Sequence, residues 1–469
     1  METTRDDVLV NGVWHPVGRS IAVENPATTL TVGSGAAADH THVDMAVRAA
    51  RTALPGWSQT TPAERADLIE ALVEALRSHR DELVDLTIAE VGAPVSVARP
   101  WHVDVSLDIL SSAASHARSF EFEQRHGDVT LLRRPVGVAG LITPWNYPLY
   151  QLAAKIGSAL AAGCTVVHKP SELTPLSAYL FAEATVEAGL PVGVFNLVPG
   201  TGPDVGGPLA AHEGVDLMSF TGSTVVGSTV AAAAVSHLAR VSLELGGKSA
   251  SIVCDDADLA NAVRWTVDSC MLNSGQTCSA WTRLLVPQSR LAEAVDIAAQ
   301  RADEMVVGDP TETATELGPL VSSLQLQRVT DKVEQAVQRG ARVATSATTP
   351  LPNTGHFLRP VVLADVSVDD PASREEIFGP VLVVHGYRDD EHAIEIANNT
   401  EYGLAGAVWS ADPARAAGIA ARLDTGQVFI NEAEFSVESP FGGWKHSGFG
   451  REFGLEGLLE FTELTAVHH

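Results

Sequence analysis

Apolar and polar positions alternate along the chain in two periods. In "VLVNGVWHP" two apolar runs flank Asn11-Gly12, a pair whose ease at positive φ predicts a hairpin turn. The stretch "TPAERADLIEALVEALRSHRDELVDLTIAEVG" instead repeats its apolar residues at helical spacing, behind Thr61 as N-cap, Pro62 at the first helical position and Glu64 two residues later. It predicts one long helix, and a second is expected over "WHVDVSLDILSSAASHARSF".

From Asp128 the texture changes. Short apolar runs, "VGVAGLITP", "TVVHKP", "VFNLVPG", "VDLMSFTG" and "RVSLELGG", alternate with helical patterns such as "YPLYQLAAKIGSALAAG" and "STVVGSTVAAAA". That βαβαβ order predicts a parallel sheet with helices on both faces, whose ligands sit beyond the carboxyl ends of the strands. A second alternating region follows Gly247, with a helix over "DLANAVRWTVDSCML" and strands in "RLLVP", "PVVLADV", "AGAVWS" and "GQVFIN". The chain closes on an extended tail, "LLEFTELTAVHH", whose edge calls for a partner strand.

Composition narrows the picture. At 469 residues the chain exceeds one core and suggests two or three domains. Its 31 basic and 58 acidic side chains, a formal charge of −27, argue against nucleic acid or an anionic membrane surface as partner. Four cysteines without a CxxC pair point to a reducing compartment. The opening "METTRDDVLVNGVWHP" lacks a basic and then apolar leader, so a cytoplasmic location is expected. Sixteen histidines, His40 and His42 of "DHTH" among them, show no zinc-ligand spacing, and no metal is expected.

The candidate chemistry lies at strand ends. Cys278, in "NSGQTCSAWTR", is either a buried filler or a nucleophile, and a nucleophile needs a base and an oxyanion donor. "GLITPWNYP" offers the side-chain amide of Asn146, held between two prolines, and "LELGG" offers Glu244, which is a general base or a paired strand-end carboxylate. The GxGxxG fingerprint is absent. "FTGSTVVG" nevertheless ends a strand and opens a helix, which is either a plain strand-to-helix turn or a place where free amides can face a pyrophosphate. "VVHKPSELTP" places Lys169 and Glu172 on a loop that is either merely solvated or one whose carboxylate could accept from ribose hydroxyls and would repel a 2′-phosphate.

The motifs "TPWNYP", "KPSELTP", "FTGST", "LELGGKS", "NSGQTC", "EEIFGP" and "PFGGWKHSGFGRE" resemble, in order and spacing, those of the aldehyde dehydrogenase superfamily, from about residue 130 to the end. The resemblance implies an α/β subunit: a modified doubly wound cofactor domain over 1–115 and 136–247, a catalytic domain over 248–447, and an oligomerisation element over 116–135 and 448–469. It implies NAD-dependent oxidation of an aldehyde to the carboxylic acid, NADP being less favoured, through a thioester on Cys278 that is then hydrolysed. Glu244 corresponds to the base, Asn146 to the oxyanion donor, and Lys155 and Glu452 to a proton exit route.

By the same resemblance the cofactor is expected at Ile142, Thr143, Trp145, Lys169, Ser171, Glu172, Gly202, Gly206, Phe220, Gly222, Ser223, Val226, Glu244, Leu245, Gly246, Glu376 and Phe378. The aldehyde is expected near Tyr147, Gln151, Ala154, Thr277, Ser279, Trp281, Phe435 and Phe441. A small Ala154 favours a long or ring-bearing aldehyde, whereas Glu434 and Glu438 at the mouth would favour an amino aldehyde. The absence of an arginine in these segments disfavours succinic semialdehyde. Rival readings are a CoA-acylating relative, which typically lacks the base, and a silent dinucleotide-binding protein of the same fold. A homodimer or homotetramer is expected, as is an esterase side activity.

Overall fold

The computed structural model describes residues 3–469; Met1 and Glu2, the start of the opening stretch read for a leader, lie outside the described residues. Its largest sheet has eight strands, in the order Gly448–Phe449, Arg240–Glu244, Leu217–Thr221, Val138–Ile142, Thr165–Lys169, Phe195–Leu197, Asp7–Val10 and Val13–Pro16. The five from Arg240–Glu244 to Phe195–Leu197 are parallel. "VAGLI", "TVVHK" and "LMSFT" are buried throughout, as strands covered on both faces must be. The first parallel strand in the chain, Val138–Ile142, lies in the middle. The next two run outward on one side and the last two on the other, so the winding reverses between Val138–Ile142 and Leu217–Thr221. A crevice opens at the carboxyl ends where such a sheet reverses.

The hairpin forms as read: Asn11 and Gly12 both have positive φ between Asp7–Val10 and Val13–Pro16. Thr61 and Glu64 make a reciprocal capping box. The long helix, however, is two, Pro62–Ser78 and Arg80–Val91, broken at His79, whose backbone leaves the helical region. Both halves rest on the helix Leu176–Glu187, but the first packs mainly on Val105–Ser119 and the second mainly on the turn Ala98–Asp104. The next helix also starts late, at Val105. Residues 98–104 form a wider π-type turn around Pro100, which has no N–H to give an α-helical bond.

A second sheet of seven strands runs Arg342–Val343, Val361–Ala364, Val381–Tyr387, Arg283–Pro287, Ala250–Val253, Ala405–Trp409, Gln427–Ile430, all parallel but for the first pair. A separate three-stranded sheet pairs Glu123–His126 and Thr462–His468 on either side of Val129–Pro135. The segment 448–469, expected to belong together, divides: Gly448–Phe449 joins the large sheet beside Glu244, Gly454–Glu460 is helical, and only Thr462–His468 reaches the three-stranded sheet. No described helix is long and apolar enough to cross a membrane.

Candidate active site

Where the large sheet reverses its winding, a cleft of about 1320 Å³, open to solvent, lies between the two large sheets. Trp145, Asn146, Gly222, Ser223, Leu245, Gly246, Glu376, Phe378 and Cys278 all line it. Gly222 ends its strand so tightly that a Cβ there would stand 2.6 Å from the Phe220 ring. Ser223 then caps the helix Thr224–Val235, its hydroxyl accepting from the Val226 N–H, while the Thr224 and Val225 amides find no protein acceptor. Trp145 and Phe378 meet edge to face at 5.4 Å. A Cβ on Gly246 would stand 2.6 Å from the half-buried Glu376 carboxylate, which accepts from the Gly247 N–H at 3.0 Å. Open amides, a glycine turn and an aromatic wall fit a dinucleotide.

The remaining expected cofactor residues lie along the same edge. Ile142 and Thr143 end the central strand, and Thr143 Oγ1 shares a hydrogen bond with His168 Nε2. Lys169 ends the neighbouring strand and pairs with Glu172 at 3.0 Å, and Ser171 Oγ accepts from the Leu173 N–H. Gly202 and Gly206 begin and end a turn, and a Cβ on Gly206 would stand 3.8 Å from Ile142 Cδ1.

Cys278 stands in the loop between the helix Leu259–Met271 and the strand Arg283–Pro287. The loop is rigid for local reasons. Asn273, Ser274 and Gly275 all take positive φ, and a Cβ on Gly275 would collide with the Gly379 backbone. Asn273 Nδ2 donates to Asn146 O, Asn146 Nδ2 donates to Gln276 O, both at 2.9 Å, and Gln276 Oε1 accepts from the Val321 N–H. The Asn146 amide is thus tied to the cysteine loop through one N–H, with its second left for a ligand.

The electrostatics are those of trapped protons. The half-buried Cys278 lines both this cleft and an adjoining pocket. Burial first, then the carboxylates Glu376, Glu244 and Glu452, push its thiol up to about 12. Glu244 ends its strand with both oxygens buried and unpartnered. Burial and the nearby Glu452 raise it well above the carboxylate range, against the pull of Lys155 and Arg451. Glu376 is pushed up to about 7, mainly by burial. Lys155, fully buried, holds Glu452 at 2.5 Å and Ser219 Oγ at 3.1 Å, and Glu452 Oε2 is left over. Without ligands, Cys278 keeps its proton at neutral pH, and burial biases Glu244 toward its protonated form.

On the other side of Cys278 a pocket of about 780 Å³ is walled by Tyr147, Gln151, Thr277, Ser279, Trp281, Phe435 and Phe441, together with Trp101, Tyr150, Ser269, Leu272, Gln427 and Phe429. No charged side chain lines it. Ala154 does not line it either: it sits three residues beyond Gln151 on the inward face of its helix, buried in the main core, so the room expected from its small side chain is not room in this pocket. Glu434 and Glu438 are likewise absent from the wall, and Glu438 meets His116 at 2.9 Å.

Sequence reading missed one whole side of the cleft. Gln325, Arg328, Asp331 and Lys332 come from the helix Ser323–Gln338, across from the large sheet. Gln325 Nε2 holds Phe378 O at 2.8 Å and Lys332 Nζ holds Glu376 O at 2.6 Å. Their only local signal is a buried glutamine on an otherwise polar helix face. Trp101 escaped notice because the π-type turn that swings it to the pocket rim is invisible to helical periodicity.

Comparison with known proteins matches this arrangement. The model of the aldehyde dehydrogenase family matches residues 14–467. A 3-succinoylsemialdehyde-pyridine dehydrogenase of a Pseudomonas species is 47% identical over 98% of both chains. A putative aldehyde dehydrogenase of Staphylococcus saprophyticus is 39% identical over 98% of this chain and 97% of its own. Among solved structures, a mutant of aldehyde dehydrogenase C from Pseudomonas syringae, complexed with NAD+ and octanal, superposes with a TM-score of 0.97 at 43% identity, covering 99% of this chain and 96% of that one. An NAD+ complex of a Bacillus cereus aldehyde dehydrogenase superposes with a TM-score of 0.95 at 38% identity, covering 99% and 96%. A match along nearly the whole chain, in sequence and in backbone, places this protein in the aldehyde dehydrogenase family.

Proposed function

We propose that the protein oxidises an uncharged aldehyde with a long or ring-bearing tail to its carboxylic acid, with NAD+ as hydride acceptor. The observation that carries this reading is the position of Cys278, at the wall shared by the dinucleotide-shaped cleft and the aromatic pocket. An uncharged pocket wall leaves an ammonium or a second carboxylate on the substrate without a partner, which disfavours both. The pyridine semialdehyde in one relative's name and the octanal bound in another's structure are of the favoured kind.

In this mechanism Cys278 Sγ adds to the carbonyl carbon, and the oxygen takes the free N–H of Asn146 and the Cys278 backbone N–H. Each such donor is worth about 3 kcal/mol. Trp145, Phe378, Glu376 and the Thr224 and Val225 amides would hold NAD+, with Lys169 and Glu172 at its adenosine ribose. Before hydride transfer the positive charge of bound NAD+ would favour loss of the Cys278 proton, by way of Glu244 toward Lys155 and Glu452; the chemistry NAD+ would supply there is hydride acceptance, which would leave a thioester on Cys278. Glu244 then takes a proton from water, which hydrolyses the thioester, and passes it toward Lys155 and Glu452. The presence of this carboxylate argues against a CoA-acylating reaction. The Glu172 carboxylate, though paired with Lys169, keeps one oxygen for ribose hydroxyls and favours NAD+ over NADP+. The assembly we propose is a homodimer or homotetramer, in a reducing cytoplasm that suits four free cysteines.

The direct test is a panel of aldehydes with NAD+ and NADP+, followed by absorbance of the reduced cofactor. Apolar and aryl aldehydes should turn over with NAD+; a panel with no turnover would overturn the reading.

A further inference from the structure

The aromatic pocket contains one polar group whose presence the oxidation of a hydrocarbon aldehyde does not explain. Gln151 lies on the helix Pro148–Ala162, one turn past Tyr147, and its side chain faces the cavity although it is only 2% exposed. Its Oε1 is buried with no hydrogen-bond partner. Among the described residues of the wall, Gln151 alone carries a buried side-chain polar atom without a partner; Tyr147 OH shares a hydrogen bond with Thr277 Oγ1 at 2.8 Å, and Gln427 Nε2 donates to Pro440 O at 3.2 Å. Trp101, by contrast, is 40% exposed and marks the rim. A buried amide oxygen with nothing to accept from is unfavourable in the free enzyme, and the cost remains when an apolar tail fills the pocket. The same amide rewards a tail that brings its own polar atom, and a site built to bond such an atom rejects the analogue without it.

We infer that Gln151 is a specificity-determining anchor, selecting uncharged aldehydes that carry one hydroxyl or carbonyl group within an otherwise apolar tail. The inference rests on the aldehyde-oxidising reading above and narrows its substrate class. The amide both donates and accepts, so it suits a ketone through its N–H₂ and a hydroxyl through either end. Tyr150, Trp281 and Phe435 supply apolar contact for the rest of the tail.

The test compares octanal with its mono-oxo derivatives, the ketone moved carbon by carbon along the chain, by kcat/KM with NAD+. In the natural protein at least one oxo isomer should exceed octanal by about tenfold. Gln151→Met keeps the length and apolar stem but removes the hydrogen bonds, so it should raise kcat/KM for octanal and bring the ratio to one or below. Gln151→Asn, with the amide one methylene shorter, should keep a preference for an oxo tail, with its optimum at another carbon. An oxo advantage that survives in Gln151→Met, or octanal equal to every oxo isomer in the natural protein, would overturn the anchor while leaving aldehyde oxidation standing. Where Gln151→Met fails to fold, the shifted optimum of Gln151→Asn assigns the preference to this side chain, and octanal equal to every oxo isomer in the natural protein overturns the anchor without any variant. Absence of NADH from every aldehyde would instead overturn the parent reading and the anchor with it.

Discussion

The thiol of Cys278 is an unusual nucleophile in the ligand-free protein, because its surroundings hold the proton on. Since burial and carboxylates raise its pKa to about 12, the thiolate fraction near neutrality is small and grows about tenfold with each pH unit. Alkylation by iodoacetamide should therefore be slow at pH 7 without ligand, rise about tenfold per unit to pH 9, and accelerate when NAD+ is added. A rate flat across that range would mean the thiolate is already formed. Cys278→Ala should abolish turnover while leaving NAD+ affinity, read by quenching of protein fluorescence, nearly intact. Glu244→Gln should give a single burst of NADH with little steady turnover, because hydrolysis and not hydride loss needs this carboxylate. Glu172→Ser should narrow the preference for NAD+ by improving kcat/KM with NADP+, as the charge opposing a 2′-phosphate is removed.

At the scale of elements, the site depends on glycines where two backbones pass closely. Gly275 combines positive φ with a collision between any added Cβ and the Gly379 backbone, and neither neighbour is a flexible side chain that can move aside. Gly275→Ala should lower stability by about 1–3 kcal/mol in denaturant melts and misplace Cys278. A variant with native stability and turnover would show that the loop has slack the geometry does not reveal. Helix boundaries follow the same logic. Thr61 and Glu64 announce a helix start through chemistry confined to four residues. The break at His79 has no such local cause and follows from which neighbours each half must cover.

For the whole molecule, the open question is what covers its exposed apolar surface. Thr462–His468 pairs with Val129–Pro135 along one side only, and Leu464 on that strand is half exposed. Val235 and Leu238, at and just after the end of the helix Thr224–Val235, are more exposed still. Unpaired strand edges and apolar patches of this kind favour the proposed assembly with a second copy. Light scattering should give a mass at least twice the 49.4 kDa of the chain at micromolar concentration. Deleting the residues after Glu460 should reduce both assembly and stability, because the tail also bonds its own subunit, with Arg240 donating to Thr462 O and Cys164 Sγ to Phe461 O. A mass equal to one chain in the intact protein would rule out the assembly.

What was legible in the chain before folding is whatever depends on neighbours a few residues apart. Asn11-Gly12 makes its turn, Thr61 caps its helix, and "LMSFT" and "TVVHK" announce buried strands, since turn chemistry, capping and binary pattern act over short spans. Motifs at strand ends also pointed to Asn146 and Glu244, because in a parallel sheet those ends share one edge, while Cys278 was legible from the motif that follows the helix Leu259–Met271. Tertiary structure alone decided which groups face one another. It placed Gln325 and Lys332 across the cleft from the dinucleotide edge, turned Ala154 into the core instead of the pocket, and crowded Glu376, Glu244 and Glu452 around one thiol. Such juxtapositions come from the packing of separate sheets, and proton affinities follow from them, since desolvation and charge act through space and take no account of distance along the chain.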